Sequence, residues 1–127
     1  MTNGVFEIKN GKETVKLLMG FNAASEFETR YFKHITSGIA PSEGILFTDL
    51  VFSGMYCNAL RNGSQIPSYG DAFDLVEAIG QNDDFNELRV KLWNVYYESK
   101  WGVDFKNRLD KFLNDGKKKV EAGQESQ

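Results

Sequence analysis

One histidine, His34, and one cysteine, Cys57, bound the chemistry this chain can do. A single imidazole excludes every site built on two, and with one thiolate beside it a structural zinc has too few ligands. To act as a general base, His34 needs a carboxylate to orient it and a cleft to receive a substrate. Glu26, Glu28 and Asp49 are the acids the sequence offers. A small hydrolase or transferase built on His34 is therefore one function class. The competing reading makes His34 an ordinary residue at a helix end, where an imidazolium suits the negative pole of the helix. Cys57 falls late in an apolar helical pattern, away from the helix N-terminus that would lower a thiol pKa, and reads as a small buried hydrophobe. Asp71, Asp74 and Glu77 repeat every third residue, as on a solvated helix face or an acidic edge, and Asp83 and Asp84 read as helix caps. No G-x-G-x-x-G or phosphate loop occurs, so no nucleotide, other cofactor or metal is expected.

Charge removes another class. Fifteen Lys and Arg stand against eighteen Asp and Glu, a net charge of -3, which leaves no basic field to hold phosphate backbones. Nucleic acid is excluded as the expected partner. No apolar run reaches the ~18 residues of a membrane span, and one cysteine cannot close an intrachain disulfide, so no membrane partner and a reducing, intracellular setting are expected.

What the chain has in surplus is aromatic: ten Phe, five Tyr and two Trp among 127 residues. Trp93, Tyr96, Tyr97 and Trp101 crowd one helical stretch. Tyr96 belongs to its apolar stripe, whereas Trp93 and Tyr97 sit at the border, as core flank or as exposed anchors. Large amphipathic rings outside a stripe are favoured at protein contacts. The candidate contact residues are accordingly Trp93, Tyr97 and Trp101, with Phe52 and Tyr56 as secondary choices, and they point to binding rather than turnover.

The elements that position these residues follow from periodicity. Residues 5–9 and 12–19 alternate apolar with polar around Asn10-Gly11, which predicts a β-hairpin on a type I′ turn pairing Lys9 with Lys12 and Phe6 with Val15. Its apolar face is Phe6, Ile8, Val15, Leu17 and Met19. Ala23, Phe27, Tyr31 and Ile35 then recur at helical spacing behind an Asn22 cap, up to Ser37-Gly38, and 36–44 reads as a loop. The stretch Ile45–Leu60 predicts a central helix, with Gly54 allowing close backbone approach. Ser68-x-x-Asp71 predicts a capping box for a short helix with Phe73, Val76 and Ile79 on its apolar edge, closed by a C′ glycine at Gly80. A helix from Asp83 or Asp84 to about Trp101 is expected to break at Gly102, and Asp104 to start a last helix through Phe105, Leu109, Phe112 and Leu113. The expectation is one α+β domain over 1–115, a short N-terminal β-hairpin packed against a bundle of four to five helices, with a flexible tail at 116–127.

The order hairpin around Asn10-Gly11-Lys12, then Gly20-Phe21-Asn22-Ala23-Ala24-x-Glu26-Phe27-Glu28, then the 46–60 helix and the 71–79 helix resembles the tail assembly chaperones of long-tailed bacteriophages over roughly residues 4–80. The resemblance implies a non-enzymatic protein of the host cell cytoplasm that binds the tape measure protein, recruits tail tube protein during virion morphogenesis, and is absent from the finished particle. It implies self-association into a homo-oligomer that coats a long partner. Many members are also made in a longer, frameshifted form, and Asp115-Gly116-Lys117-Lys118-Lys119 is compatible with an A-rich slippery site. A structural tail or adaptor subunit is the alternative within the same setting.

Overall fold

The computed structural model describes residues 4–38 and 40–125, with side chains as far as Asp115. It is an α+β fold in which a two-stranded antiparallel hairpin precedes five helices. Strands β1 (Val5–Asn10) and β2 (Glu13–Leu18) pair Asn10 with Glu13, Ile8 with Val15 and Phe6 with Leu17. This register is shifted by two residues from the expected Lys9–Lys12 pairing. The two-residue loop is Gly11-Lys12, with Gly11 at φ +64° and no non-glycine at positive φ among the described residues. A type I′ turn needs positive φ at both central positions, so glycine at the first alone fits type II′. A shift of two keeps the faces, since side chains alternate with period two. Ile8 and Leu17 are fully buried, with Phe6 and Val15 packed beside them.

Met19 N–H donates to the Gly4 carbonyl at 2.7 Å, holding the chain in the hairpin to Met19. Helix α1 (Phe21–Thr36) follows at once, with Gly20 as N-cap and no capping side chain. The expected cap, Asn22, lies inside the first turn instead. Beyond α1 the loop runs to Ser42, with Ile39 outside the described residues.

Ser42 starts α2 (Glu43–Asn62) by accepting from Ile45 N–H at 3.2 Å, and Gly63, left-handed at φ +64°, ends it. From Phe47 to Gly54 every residue is buried, as befits a helix covered all round. A Cβ on Gly54 would stand 2.5 Å from Met19 Cε and 2.7 Å from Leu17 Cβ. Glycine here lets the α2 backbone lie directly on β2.

Helix α3 (Tyr69–Ile79) carries the expected capping box, Asp71 N–H to Ser68 Oγ at 3.1 Å and Ser68 N–H to Asp71 Oδ2 at 2.9 Å. Its buried face is Ala72, Leu75 and Ile79. Phe73, placed on the apolar edge by periodicity, is 50% exposed. Gly80 is right-handed at φ -63°, not the left-handed C′ residue expected, because the chain continues through a further turn in which Asn82 N–H reaches the Ile79 carbonyl at 3.0 Å.

Helix α4 (Phe85–Glu98) begins after Asp84, which makes no capping hydrogen bond. It ends at an extended Ser99, not at Gly102. Ser99 Oγ donates to the Tyr96 carbonyl and accepts from Gly102 N–H at 3.1 Å, capping α5 (Lys100–Glu125). Gly102 sits inside the first turn of α5, where a Cβ would overlap the Tyr96 carbonyl. It is the residue that lets two helices meet at a tight corner. On α5 only Phe105 of the expected face is fully buried, and Phe112 and Leu113 are more than half exposed. The helical backbone continues to Glu125 through the segment expected to be a tail, whose side chains from 116 onward lie outside the described residues. Lysine, glutamate, glutamine and alanine there favour helix without needing an apolar face. Among the described residues no helix is long and apolar enough to cross a membrane.

Candidate functional site

The last turns of α1 bring His34 against α2, where its Nε2 lies 3.0 Å from Asp49 Oδ2. Asp49 is 2% exposed. A buried carboxylate is costly unless both oxygens are satisfied, and the second, Oδ1, accepts from the Tyr69 hydroxyl at 2.9 Å. One acid therefore ties together three helices, α1 through His34, α3 through Tyr69, and its own α2. Arg30, one turn before His34, lays its guanidinium 4.7 Å from the Phe52 ring centre and 5.0 Å from that of Tyr69, while its Nε donates to Glu26 at 3.0 Å. Burial, then the hydrogen bond and negative charge of Asp49, push the Tyr69 phenol up to about 12. It therefore stays a donor throughout the neutral range.

These groups edge an open groove of about 680 Å³ between α1, α2 and α3, with Ile45, Phe73 and Val76 as its apolar walls. Of the three acids the sequence offers His34, Asp49 is the one that meets it; Glu26 pairs with Arg30 and Glu28 with Arg108. The imidazole thus has its orienting carboxylate beside a groove. Among the described residues no hydroxyl or thiol is hydrogen-bonded to the His34 ring, the Ser37 hydroxyl donating to the His34 backbone carbonyl instead, so the arrangement supplies a held base without a nucleophile. Cys57 is buried in α2 with its Sγ beside Gly20, as a packing residue. Tyr69 and Arg30 were not legible as members of this cluster, since nothing in the sequence links positions 30, 49 and 69. The Ser68 cap, which fixes where α3 begins, was the available clue.

The candidate contact residues fall into three groups. Trp93 and Tyr97 stack at 5.6 Å with 19° between planes. Trp93 is half-buried, edge-on to Phe27, and Tyr97 is 43% exposed. With Val90, which is also exposed, they form an i, i+3, i+7 stripe along α4. Burial, followed by Tyr31 and Glu43 nearby, raises the Tyr97 pKa. Trp101 is half-buried at the start of α5, edge-on to Phe21 at 5.1 Å, with the Lys100 ammonium 5.4 Å from its ring centre. Phe52 stacks on Tyr56 at 6.0 Å but is only 7% exposed, covered by Arg30 and Tyr69. It is a core residue, which leaves it no surface for the contact expected of it, whereas Tyr56 is half-buried. The chain matches no known family model, no curated protein and no solved structure.

Proposed function

We propose that the protein works by binding polypeptide, as a tail assembly chaperone of long-tailed bacteriophages in the host cytoplasm. In this reading it holds the tape measure protein, recruits tail tube subunits, self-associates along the long partner, and makes or breaks no covalent bond. The observation that carries the reading is the Val90–Trp93–Tyr97 stripe on α4, in which Val90 and Tyr97 are exposed at helical spacing on either side of the half-buried Trp93. Such a stripe fits a partner helix laid alongside. The resemblance of residues 4–80 supplies the partner's identity.

The test is co-expression with the protein encoded by a neighbouring gene for a long helical tape measure chain. Co-purification is expected, and Tyr97→Ala should weaken it while leaving the far-ultraviolet circular dichroism unchanged. Retention of the protein in purified particles would favour the structural tail or adaptor subunit instead.

A second reading rests on the His34–Asp49 hydrogen bond beside the groove. There His34 serves as general base of a small hydrolase. Under that reading His34→Gln abolishes turnover of simple ester substrates; under the first it leaves partner capture intact.

A further inference from the structure

We propose that the groove between α1, α2 and α3 binds a small carboxylic acid with an apolar body, the carboxylate held by Arg30 and the body lying on Ile45, Phe73 and Val76. The site is separate from the α4 surface that carries the polypeptide-binding reading, and it requires no turnover at His34. Arg30 is placed to receive a planar anion. Its guanidinium lies over the Phe52 and Tyr69 rings, and that platform is itself fixed, Phe52 by burial and Tyr69 by the bond from its hydroxyl to Asp49. Nε donates to Glu26 at 3.0 Å, which sets the plane of the fork. The two terminal nitrogens have no hydrogen-bond partner among the described residues, although the side chain lines the groove and is 32% exposed. A guanidinium immobilised in this way offers paired N–H donors to a carboxylate without the ordering cost that a freely rotating arginine incurs. The charges around it agree. Lys33 and His34, three and four residues on, border the same flank of α1, and the acids nearest them are already engaged, Glu26 by Arg30 and Asp49 by His34 and Tyr69.

The rest of the groove supplies the surface for the body. Its volume of about 680 Å³ lies inside the roughly 300–1,000 Å³ of small-molecule sites. Ile45 and Phe73 are 43% and 50% exposed, so two large apolar side chains from different helices line one concavity instead of being scattered singly. Val76 follows Phe73 by three residues on α3 and extends the same wall. Glu77, one turn past Phe73, lines the α3 side and repels an anionic head. The ligand is thereby oriented, with its carboxylate toward α1 and its apolar body toward α3. An amine of the same shape meets Arg30 with like charge and is refused.

Titration of the full-length protein with 4-phenylbutyrate, followed by proton–nitrogen NMR, tests the site. Saturating shifts are expected for the amides of 44–49 and 73–77 and for the Arg30 Nε–H, with a Kd of about 0.1–1 mM. 4-Phenylbutylamine should give none, and acetate, a head without a body, should bind at least about tenfold more weakly. Arg30→Gln and Phe73→Ser should each weaken 4-phenylbutyrate by about tenfold or more. Phe73 is exposed, so its replacement leaves the core intact and keeps the test readable if Arg30→Gln disturbs the packing of α1 on α3. No saturable shift, equal binding of the amine, or an unchanged Kd in Phe73→Ser would overturn the proposal. A short peptide ending in a free Phe carboxylate that binds more than about tenfold tighter than 4-phenylbutyrate would also overturn it, assigning the groove to a polypeptide C-terminus.

Discussion

Asp49 is the residue on which three helices converge, and its neighbours make its role measurable. Tyr69→Phe removes a hydrogen bond to a buried carboxylate and should cost about 1.5–3 kcal/mol in urea unfolding. A loss under about 0.5 kcal/mol would mean the bond is not made in solution. His34→Ala combined with Tyr69→Phe should be non-additive, because both partners serve one acid. The phenol also makes a pH statement. Its pKa in the folded protein, about 12, lies above the ordinary value of 10.0, so the unfolded chain ionises first. The contribution is complete below pH 10 and is lost as pH climbs through 12. Stability measured from pH 9 to 12 should fall less steeply in Tyr69→Phe than in the parent, and parallel curves would contradict the assignment. His34 and Asp49 were separately visible in the sequence as candidates for one another, but the same sequence offered Glu26 and Glu28 as readily. Choosing among them takes the helix packing angle, which no local spacing encodes.

At the scale of elements, two glycines decide how helices seat. Gly54→Ala would push a methyl into Leu17 and Met19 and should cost about 1–3 kcal/mol, read as a lowered thermal midpoint. Ser99→Ala should cost about 1 kcal/mol by uncapping α5, with the loss confined to the C-terminal helices. An unchanged midpoint in either variant would contradict the packing described. The hairpin and the capping box at Ser68 were legible because each depends on a few adjacent residues. The α4–α5 boundary was not. Gly102 looks like a helix breaker when its context is unknown, yet it lies within a helix because the carbonyl of Tyr96 occupies the space of its missing side chain. Ser99, three residues earlier, carries a genuine cap signal that the apolar stripe running through Tyr96 to Trp101 masked. Likewise Asn22 has the right side chain for a cap, but the Met19–Gly4 hydrogen bond leaves Gly20 to turn the chain first.

Over the whole molecule, the aromatic surplus has two destinations. Most rings pack edge-to-face between α1 and the α4–α5 pair, where Phe27 alone meets Trp93, Tyr96 and Phe105, besides Tyr31 one turn on in its own helix. A smaller set, Tyr97 foremost, stays at the surface beside Val90. Composition announced the surplus and could not divide it, since a ring at the border of a stripe is inside or outside only once a neighbouring helix is in place. The central claim is that this outward set grips another polypeptide. Its most direct measurement is the affinity of full-length protein for the tape measure chain, for the parent and for Tyr97→Ala. The account predicts a complex that Tyr97→Ala weakens about tenfold at unchanged thermal stability. Equal affinity of the two proteins, or no complex at all, would contradict it.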